Sequence, residues 1–208
     1  MKAKAIAPLT SPRAGRTRAA ILRAASRRFG ADGFAGVSMD ELAAEAGVTK
    51  PTIYAHFGSK EALFETLIGD VIATSNGGVM AMVETVDEVG EALFALASDR
   101  LDWLLSDDII GLMRAASAEA IRRPDWAKNL LAGFDVGAME RWLTDLDAAG
   151  VLSVDSPATA SAVFAALTKG ALFYPVLVAG QPITPKPERD ALTREAVRIF
   201  LAAHSPVP

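Results

Sequence analysis

The chain has 208 residues, of which 40 are alanine and none is cysteine, and its net charge is −4. Because alanine is the strongest helix former, this composition favours helices, while the lack of cysteine excludes disulfides, thiolate metal sites and cysteine nucleophiles. The charge is uneven: residues 1–60 carry +6, from ten basic and four acidic side chains, whereas residues 61–208 carry −10, which points to an anionic partner for the N-terminal part.

The chain begins with a predicted flexible basic arm over residues 1–15, which are rich in small residues, proline, lysine and arginine. A helix is predicted from about residue 16 to residue 29. Its apolar side chains recur at helical spacing on one face, at Ile21, Ala25 and Phe29. Gly30 and Gly33 are expected to end this helix.

The next segment predicts two short helices joined by a glycine turn. Ser38 and Glu41 have the spacing of a capping box, in which each side chain bonds the backbone N–H of the other, and Gly47 stops the helix that follows. Thr49 is the predicted N-cap of the second short helix, and Ser59 is that of the helix after it. Two short helices that pack on a longer one form a helix-turn-helix unit.

The second short helix presents the candidate nucleic-acid surface. At about 100° per residue, Ile53 marks its buried direction. The other side then carries Lys50, Pro51, Thr52, Tyr54 and Ala55. Such cationic, hydroxyl and methyl groups can meet base edges or phosphates, and the N-caps Ser38 and Thr49 and the helix start at Lys60 suit phosphates. The alternative is a plain helical hairpin in which Tyr54 is partly buried.

Beyond residue 60 the sequence predicts long helices and no strand, so the fold class is all-α. The approximate spans are 60–75, 79–98, 100–121, 125–149, 156–178 and 188–204. We divide the chain into the arm at 1–15, a helix-turn-helix domain at 16–60 and a larger helical domain at 61–208. No membrane span is expected, because Lys169 interrupts the most apolar stretch.

The run from Val37 to Phe64 resembles the N-terminal signature of the TetR family of bacterial transcriptional regulators (TetR/AcrR type). Its most specific part is Tyr54-x-His56-Phe57-x-Ser59-Lys60-Glu61-x-Leu63-Phe64, which follows Gly47-Val48. The resemblance covers about residues 16–68, whereas the rest of the chain matches only in length and helicity. It implies an N-terminal three-helix DNA-binding domain, followed by a larger helical domain that binds a ligand and dimerises.

The resemblance also assigns DNA contacts to individual positions. Tyr54 and His56 match a phosphate-contacting pair, and Lys60 matches a lysine that meets the DNA backbone at the start of the fourth helix. Ala55 departs from the family, where this position is often aromatic or polar, so its contact is absent or is an apolar one to a thymine methyl. The predicted DNA-contact set is Ser38, Thr49, Lys50, Pro51, Thr52, Tyr54, Ala55, His56 and Lys60.

The resemblance further implies a homodimer that binds a palindromic operator and is released by a small ligand. It places the dimer interface on the last two long helices. The first of these has an apolar stripe at Val163, Leu167, Gly170, Ala171, Tyr174 and Val178, and the second has Leu192, Val197, Ile199, Phe200 and Leu201. The alternative for both sets is packing within one chain.

Large apolar side chains between the central helices are the candidate ligand contacts, with core packing as the alternative for each. They are Trp103, Met113, Trp126, Phe134, Met139, Trp142, Phe164 and Phe173. Asp135 falls inside the apolar arc of its helix, and a buried carboxylate needs a partner. That partner is either solvent or an arginine such as Arg114 or Arg122, or else Asp135 anchors a ligand, which would then be cationic. We expect a small, largely apolar effector.

Two other classes of function are alternatives: a helical adaptor that binds a protein partner through its basic face, and a carboxylate-based all-α enzyme. The only histidines are His56 and His204, and no familiar catalytic motif occurs. We expect a ligand-responsive transcriptional repressor that binds double-stranded DNA and acts in the cytoplasm. We do not expect an enzyme, and we expect no cofactor, no metal and no membrane partner.

Overall fold

The computed structural model describes residues 12–76, 83–132 and 137–206, and every regular element within these ranges is an α-helix, as predicted. The helices are α1 (Pro12–Gly36), α2 (Met39–Ala46), α3 (Lys50–Phe57), α4 (Lys60–Asn76), α5 (Val86–Leu104), α6 (Asp107–Arg122), α7 (Pro124–Ala132), α8 (Ala138–Ala148), α9 (Pro157–Lys169), α10 (Tyr174–Ala179) and α11 (Lys186–His204). None of these helices is both long enough and apolar enough to span a membrane.

The first of two compact units comprises the described residues up to Gly69 together with Gly111–Ala127. Its centre is a cluster of aromatic rings. The Phe29 and Phe64 rings lie edge to face with centres 4.9 Å apart, and Phe34 lies 5.9 Å from the first and 5.1 Å from the second. Ring contacts of this kind join the end of α1 to α4 and add to the apolar area that they bury.

The helix α1 is longer than the sequence predicts, and it bends at Gly33. This glycine has φ of 69° and ψ of 170°, a conformation that side chains with a Cβ rarely adopt. The helix therefore breaks at a glycine predicted to end it and then continues to Gly36. Gly47 has φ of 66° and ends α2 in the left-handed conformation, which makes the tight turn into α3. The glycine turn of the helix-turn-helix is confirmed.

The capping box predicted at Ser38 is wrong. Ser38 occupies the N-cap position of α2, but its hydroxyl makes no capping hydrogen bond. The Glu41 carboxylate lies 3.7 Å from the Arg28 guanidinium, so that it faces α1 rather than the backbone of Ser38. A complete capping box occurs at the start of α5, where Thr85 and Glu88 exchange side chain to backbone hydrogen bonds.

The second unit comprises the described residues of Asp70–Ile110 and Lys128–Pro208. Its core lies among α5, α8, α9 and α11. The largest fully buried side chains there are Leu93, Leu143, Leu152 and Phe200. The backbone N–H of Ser153 donates to the His204 carbonyl at 2.8 Å, which ties the end of α11 to the connection between α8 and α9.

One of the predicted long helices is in fact a pair of shorter ones. The predicted helix 156–178 corresponds to α9 and α10, whereas the predicted helix 125–149 includes α7, α8 and residues 133–136, which lie outside the described residues. Pro175 lies in the first turn of α10, where its missing N–H is harmless. Apolar side chains keep a helical spacing across such breaks, so periodicity alone does not reveal them.

The last helix divides its apolar residues between two sides. Val197 and Phe200 are only 6% and 1% exposed, because they pack into the core beside α5. These two residues therefore pack within one chain, which is the alternative to a place in the dimer interface. Leu192 and Ile199 are exposed.

Candidate nucleic-acid interface and effector cavity

The helix α3 has one buried and one accessible side, as its residue spacing predicts. Ile53 is fully buried. The exposed or half-buried side chains are Lys50, Pro51, Thr52, Tyr54 and Ala55. Tyr54 keeps 40% of its surface accessible, and its hydroxyl makes no hydrogen bond within the described ranges, so it is available to an acceptor outside the protein.

Polar contacts hold the N-terminal end of α3. Lys50 Nζ lies 3.0 Å from Asp40 Oδ2 on α2, and this hydrogen-bonded ion pair raises the pKa of Lys50. Thr49 is the N-cap of α3, but its hydroxyl bonds the Thr52 hydroxyl at 2.9 Å instead of the helix backbone. A phosphate or base that binds Lys50 therefore has to displace Asp40.

Lys60 and His56 lie near the other end of α3. Lys60 Nζ donates to the Val37 carbonyl at 2.7 Å and lies 5.0 Å from the centre of the Phe34 ring. Lys60 thereby braces the connection between α1 and α2 from the first residue of α4. His56 is half-buried and so is Ser38, whose hydroxyl is not used in capping.

The basic side chains of α1 are only partly available to an anion. Arg27 and Arg28 each donate to one oxygen of Glu45 at 2.8 Å, which joins α1 to α2. The hydrogen bond from Arg27 is the main cause that lowers the pKa of the Glu45 carboxyl. Arg18 lies over the Phe57 ring at 5.3 Å from its centre. Part of the positive charge of the N-terminal segment is thus neutralised within the unit.

A cavity of about 300 Å³ lies inside the second unit, between α5, α8 and α9. Much of its wall is apolar and includes Leu101, Leu104 and Phe164, which are buried in the core. Small-molecule pockets range over roughly 300–1,000 Å³ and combine apolar walls with a few polar groups. The cavity therefore has the size of a site for a small organic molecule.

Two cations, Arg100 of α5 and Lys169 of α9, also line the cavity. Neither side chain makes a hydrogen bond or an ion pair with any residue that the structure describes. Burial lowers the pKa of both groups, and the positive charge of Arg100 lowers that of Lys169 further. Glu140 is also in the lining, yet it pairs with neither cation.

Only part of the predicted ligand set meets at this cavity. Met139 and Phe164 line it. Phe134 and Asp135 lie outside the described residues. The predicted contacts that are not in the lining are Trp103, Met113, Trp126, Trp142 and Phe173.

Two of the tryptophans have structural contacts of their own. Trp126 belongs to the first unit, where its Nε1 donates to Glu65 Oε1 at 2.8 Å and its ring stacks on Phe64 with the centres 6.0 Å apart. Trp142 is buried in the core of the second unit. Core packing, the alternative reading of aromatic spacing, describes their surroundings.

Two segments of the chain match known protein families. Residues 21–67 match the bacterial regulatory proteins of the tetR family. Residues 91–206, more than half of the chain, match the C-terminal domain of AefR-like transcriptional repressors. The chain belongs to the TetR family.

Two curated relatives match parts of this TetR-family chain. It is 41% identical over 68 residues to the HTH-type transcriptional regulator EthR of Mycolicibacterium smegmatis, which is 33% of this chain and 31% of the relative. It is 33% identical over 90 residues to the HTH-type transcriptional activator FasR of the same organism, which is 43% of this chain and 41% of the relative. The chain thus aligns with less than half of the length of either relative.

Solved structures share the fold along nearly the whole TetR-family chain. A regulator of this family from Mesorhizobium loti MAFF303099 superposes with a TM-score of 0.76 at 24% identity, over 94% of this chain and 100% of the other. The flavonoid-responsive regulator FrrA superposes with a TM-score of 0.69 at 29% identity, over 93% and 100%. The predicted fold, an N-terminal helix-turn-helix domain followed by a helical domain, is confirmed.

The family and the fold are those of DNA-binding transcription regulators whose C-terminal domain binds a ligand. They favour neither the adaptor nor the enzyme that the sequence leaves open.

Several residues that shape the two sites of this TetR-family chain are missed by sequence reasoning. Asp40 pairs with Lys50 and Glu45 pairs with Arg28, and the sequence spacing of these residues does not predict either ion pair. Arg100 gives no local sign of lining a cavity. Lys169 is visible in the sequence as a lone cation in an apolar stretch, and that signal points to a polar site as well as arguing against a membrane span.

Proposed function

We propose that this TetR-family regulator represses transcription by binding a palindromic operator as a homodimer, and that a small molecule in the C-terminal domain releases it. The observation that carries the DNA-binding part is the accessible side of α3. It presents Lys50, Thr52 and Tyr54, while Ile53 on the other side of the helix is buried. Because its target is bacterial DNA, we place its action in the cytoplasm.

The proposed DNA contacts form two groups. The group on the accessible side of α3 consists of Lys50, Pro51, Thr52, Tyr54 and Ala55. The group that flanks it consists of Ser38, Thr49, His56 and Lys60. Contacts to phosphates fix the position of a protein on the duplex, and contacts to base edges read the sequence, so we expect the flanking group to set register and α3 to set specificity.

An apolar surface of the second unit supports the proposed homodimer. Its exposed large side chains are Val163, Tyr174, Val178, Leu192 and Ile199. Val178 keeps 80% of its surface accessible in the single chain, and the large apolar side chains exposed on α9, α10 and α11 favour a partner that covers them. A second copy related by a two-fold axis is the partner that a palindromic operator requires.

The relatives support the direction of regulation and the nature of the effector. The C-terminal match is to repressors and spans more than half of the chain, whereas the match to the activator FasR spans 43% of it, so we propose repression. FrrA is responsive to flavonoids, which supports an organic small molecule as the effector here.

Selection from random duplexes tests the proposal. We expect the enriched duplexes to contain an inverted repeat whose half-site centres lie about 10 base pairs, or a multiple of that, apart. Light scattering should give the mass of a dimer for the protein alone. A pool without any enriched repeat, or a monomer at the concentration that binds DNA, would contradict the proposal.

A further inference from the structure

The cavity between α5, α8 and α9 combines apolar walls with positive charge. Leu101 and Leu104 come from α5 and Phe164 from α9, and all three are buried. Arg100 and Lys169 lie among these side chains. A cavity of this kind suits a ligand that has an apolar body and a polar head.

The charges of Arg100 and Lys169 are not neutralised by any residue that the structure describes. Neither side chain has a hydrogen bond or ion pair within the part of the chain that the structure describes. Burial lowers the pKa of both groups. The two positive charges also repel each other, which lowers the pKa of Lys169 further. Two like charges that share a partly desolvated site are unfavourable unless an anion joins them.

The remaining polar groups of the lining do not supply that anion. Glu140 forms no ion pair with either cation. The Thr168 hydroxyl donates to carbonyls of its own helix, those of Phe164 at 2.9 Å and Ala165 at 3.3 Å. Ser161 lines the cavity, and its hydroxyl makes no hydrogen bond within the described ranges. The cavity thus offers two cations, one free hydroxyl and one carboxylate that pairs with neither cation.

We propose that this cavity binds a small amphipathic carboxylate, whose head group lies between Arg100 and Lys169 and whose apolar body packs against Leu101, Leu104 and Phe164. The arginine guanidinium matches a carboxylate with two parallel N–H donors, and the lysine ammonium adds a second charge-assisted hydrogen bond. The inference rests on the proposed function in one respect, which is that this carboxylate is the effector that releases the operator. Its charge is opposite to that of the cationic ligand that Asp135, which lies outside the described residues, would anchor.

The head-group selectivity is tested by calorimetric titration of the full-length protein without DNA, at fixed ionic strength. The probes are benzoate, phenylacetate and hexanoate, each paired with its neutral amide. We expect at least one carboxylate to bind about tenfold or more tightly than its amide, because the amide forfeits the charge-assisted hydrogen bonds. If every carboxylate binds no more tightly than its amide, the inference is overturned.

Variants assign the effect to the two cations. Lys169→Gln and Arg100→Gln should each weaken carboxylate binding about tenfold or more and leave the affinity for the amide unchanged. Lys128→Gln removes the same charge from an exposed position of α7 and should change neither affinity. Unchanged carboxylate affinity in both cavity variants would overturn the assignment.

A second measurement keeps the test independent of variant folding. Without ligand, Lys169→Gln should raise Tm, because it removes one of two positive charges that repel each other. If Lys169 instead stabilises the fold, the same change should lower Tm. Operator binding is measured separately. If the operator is bound but no carboxylate is preferred, the anion site is wrong and the proposed function stands; if a carboxylate binds without releasing the operator, the anion site stands and the proposed release is wrong.

Discussion

Gly30 of α1 and Gly111 of α6 pack backbone against backbone within the first unit. A Cβ on Gly111 would lie 2.9 Å from the Gly30 carbonyl oxygen, and a Cβ on Gly30 would lie 3.3 Å from the backbone nitrogen of Leu112. The two helices approach to a distance at which any side chain would collide with main-chain atoms. This contact fixes how residues 111–127 join the helix-turn-helix unit.

We expect Gly111→Ala to lower the free energy of unfolding by up to about 2 kcal/mol. The methyl group has to push one backbone away from the other, which costs about 1–3 kcal/mol in a packed core. The higher helix propensity of alanine offsets about 1 kcal/mol of that cost. Urea unfolding of the full-length protein measures the difference.

Gly15→Ala is the matched control, because Gly15 lies in α1 and nothing lies within 4 Å of a Cβ at that position. This change gains helix propensity without a collision, so stability should rise by up to about 1 kcal/mol. Equal stability of the two variants would mean that the backbones of α1 and α6 do not approach as closely as described.

Glu45→Gln should destabilise the protein while strengthening its nonspecific binding to DNA. The carboxylate holds Arg27 and Arg28, so its loss should lower Tm by about 2–4 °C and free Arg27 for phosphates, while Arg28 keeps its contacts with Asp32 and Glu41. The slope of log K against log salt should steepen by up to about 0.9 for each cation that engages a phosphate. Thermal unfolding and titration with an unrelated duplex measure the two effects.

The pH dependence of the same variant follows from the lowered pKa of Glu45. A carboxyl whose pKa is held below its ordinary value of 4.5 stabilises the fold above that value, and this contribution is lost as the pH falls through the lowered pKa. The variant should therefore lose less stability on acidification than the parent.

Glu195→Gln is the control for the DNA measurement. It removes one negative charge that pairs with Arg198 inside α11, so its nonspecific DNA affinity should stay unchanged.

Local features of the DNA-binding segment can be predicted from the sequence, because they depend on residues within one or two helical turns. The buried direction of α3 follows from Ile53, and the turn before it follows from Gly47. The capping box at Ser38 fails for a nonlocal reason, since Arg28 from another helix lies beside Glu41. A pattern of local spacing does not include such a competitor.

The cavity and the glycine contact could not be predicted for the same reason. Arg100 and Lys169 line one cavity only because α5 and α9 both pack against α11, and Gly30 meets Gly111 only because α6 crosses α1. Aromatic spacing finds large apolar residues, but it does not say which of them share a cavity. Trp126 therefore appears as a ligand candidate in the sequence and is bonded to Glu65 in the structure.

Lys50→Ala should weaken operator binding and flatten its salt dependence. If Lys50 contacts a phosphate, the slope of log K against log salt should fall by about 0.9. Stability should change little, because the ion pair with Asp40 joins two exposed side chains. Fluorescence anisotropy with the selected operator at several salt concentrations gives both the affinity and the slope.

Asp40→Asn separates the two roles of Lys50. It removes the ion pair but keeps the cation, so the lysine no longer has to leave a partner before it meets DNA, and operator affinity should rise. If Asp40→Asn weakens binding as much as Lys50→Ala does, the pair acts by holding α3 on α2 and Lys50 does not contact DNA.

Lys60→Met should lower both stability and DNA binding, unlike the same change at Lys50. The Lys60 ammonium satisfies the carbonyl of the buried Val37, and an unsatisfied buried acceptor costs about 1–3 kcal/mol. Lys50→Met is the control, since the partner of Lys50 is an exposed carboxylate. Equal stability of the two variants in urea would contradict the bracing role of Lys60.

Tyr54→Phe should weaken operator binding without changing stability or salt dependence. The hydroxyl is exposed and makes no hydrogen bond within the described residues, so its removal leaves no buried group unpaired. A hydrogen bond to a charged acceptor contributes about 1.5–3 kcal/mol, which corresponds to a loss of about tenfold or more in affinity. Because the hydroxyl is neutral, it releases no counterion, and the salt slope should match that of the parent while that of Lys50→Ala falls. Unchanged affinity for the selected operator would remove Tyr54 from the DNA-contact set.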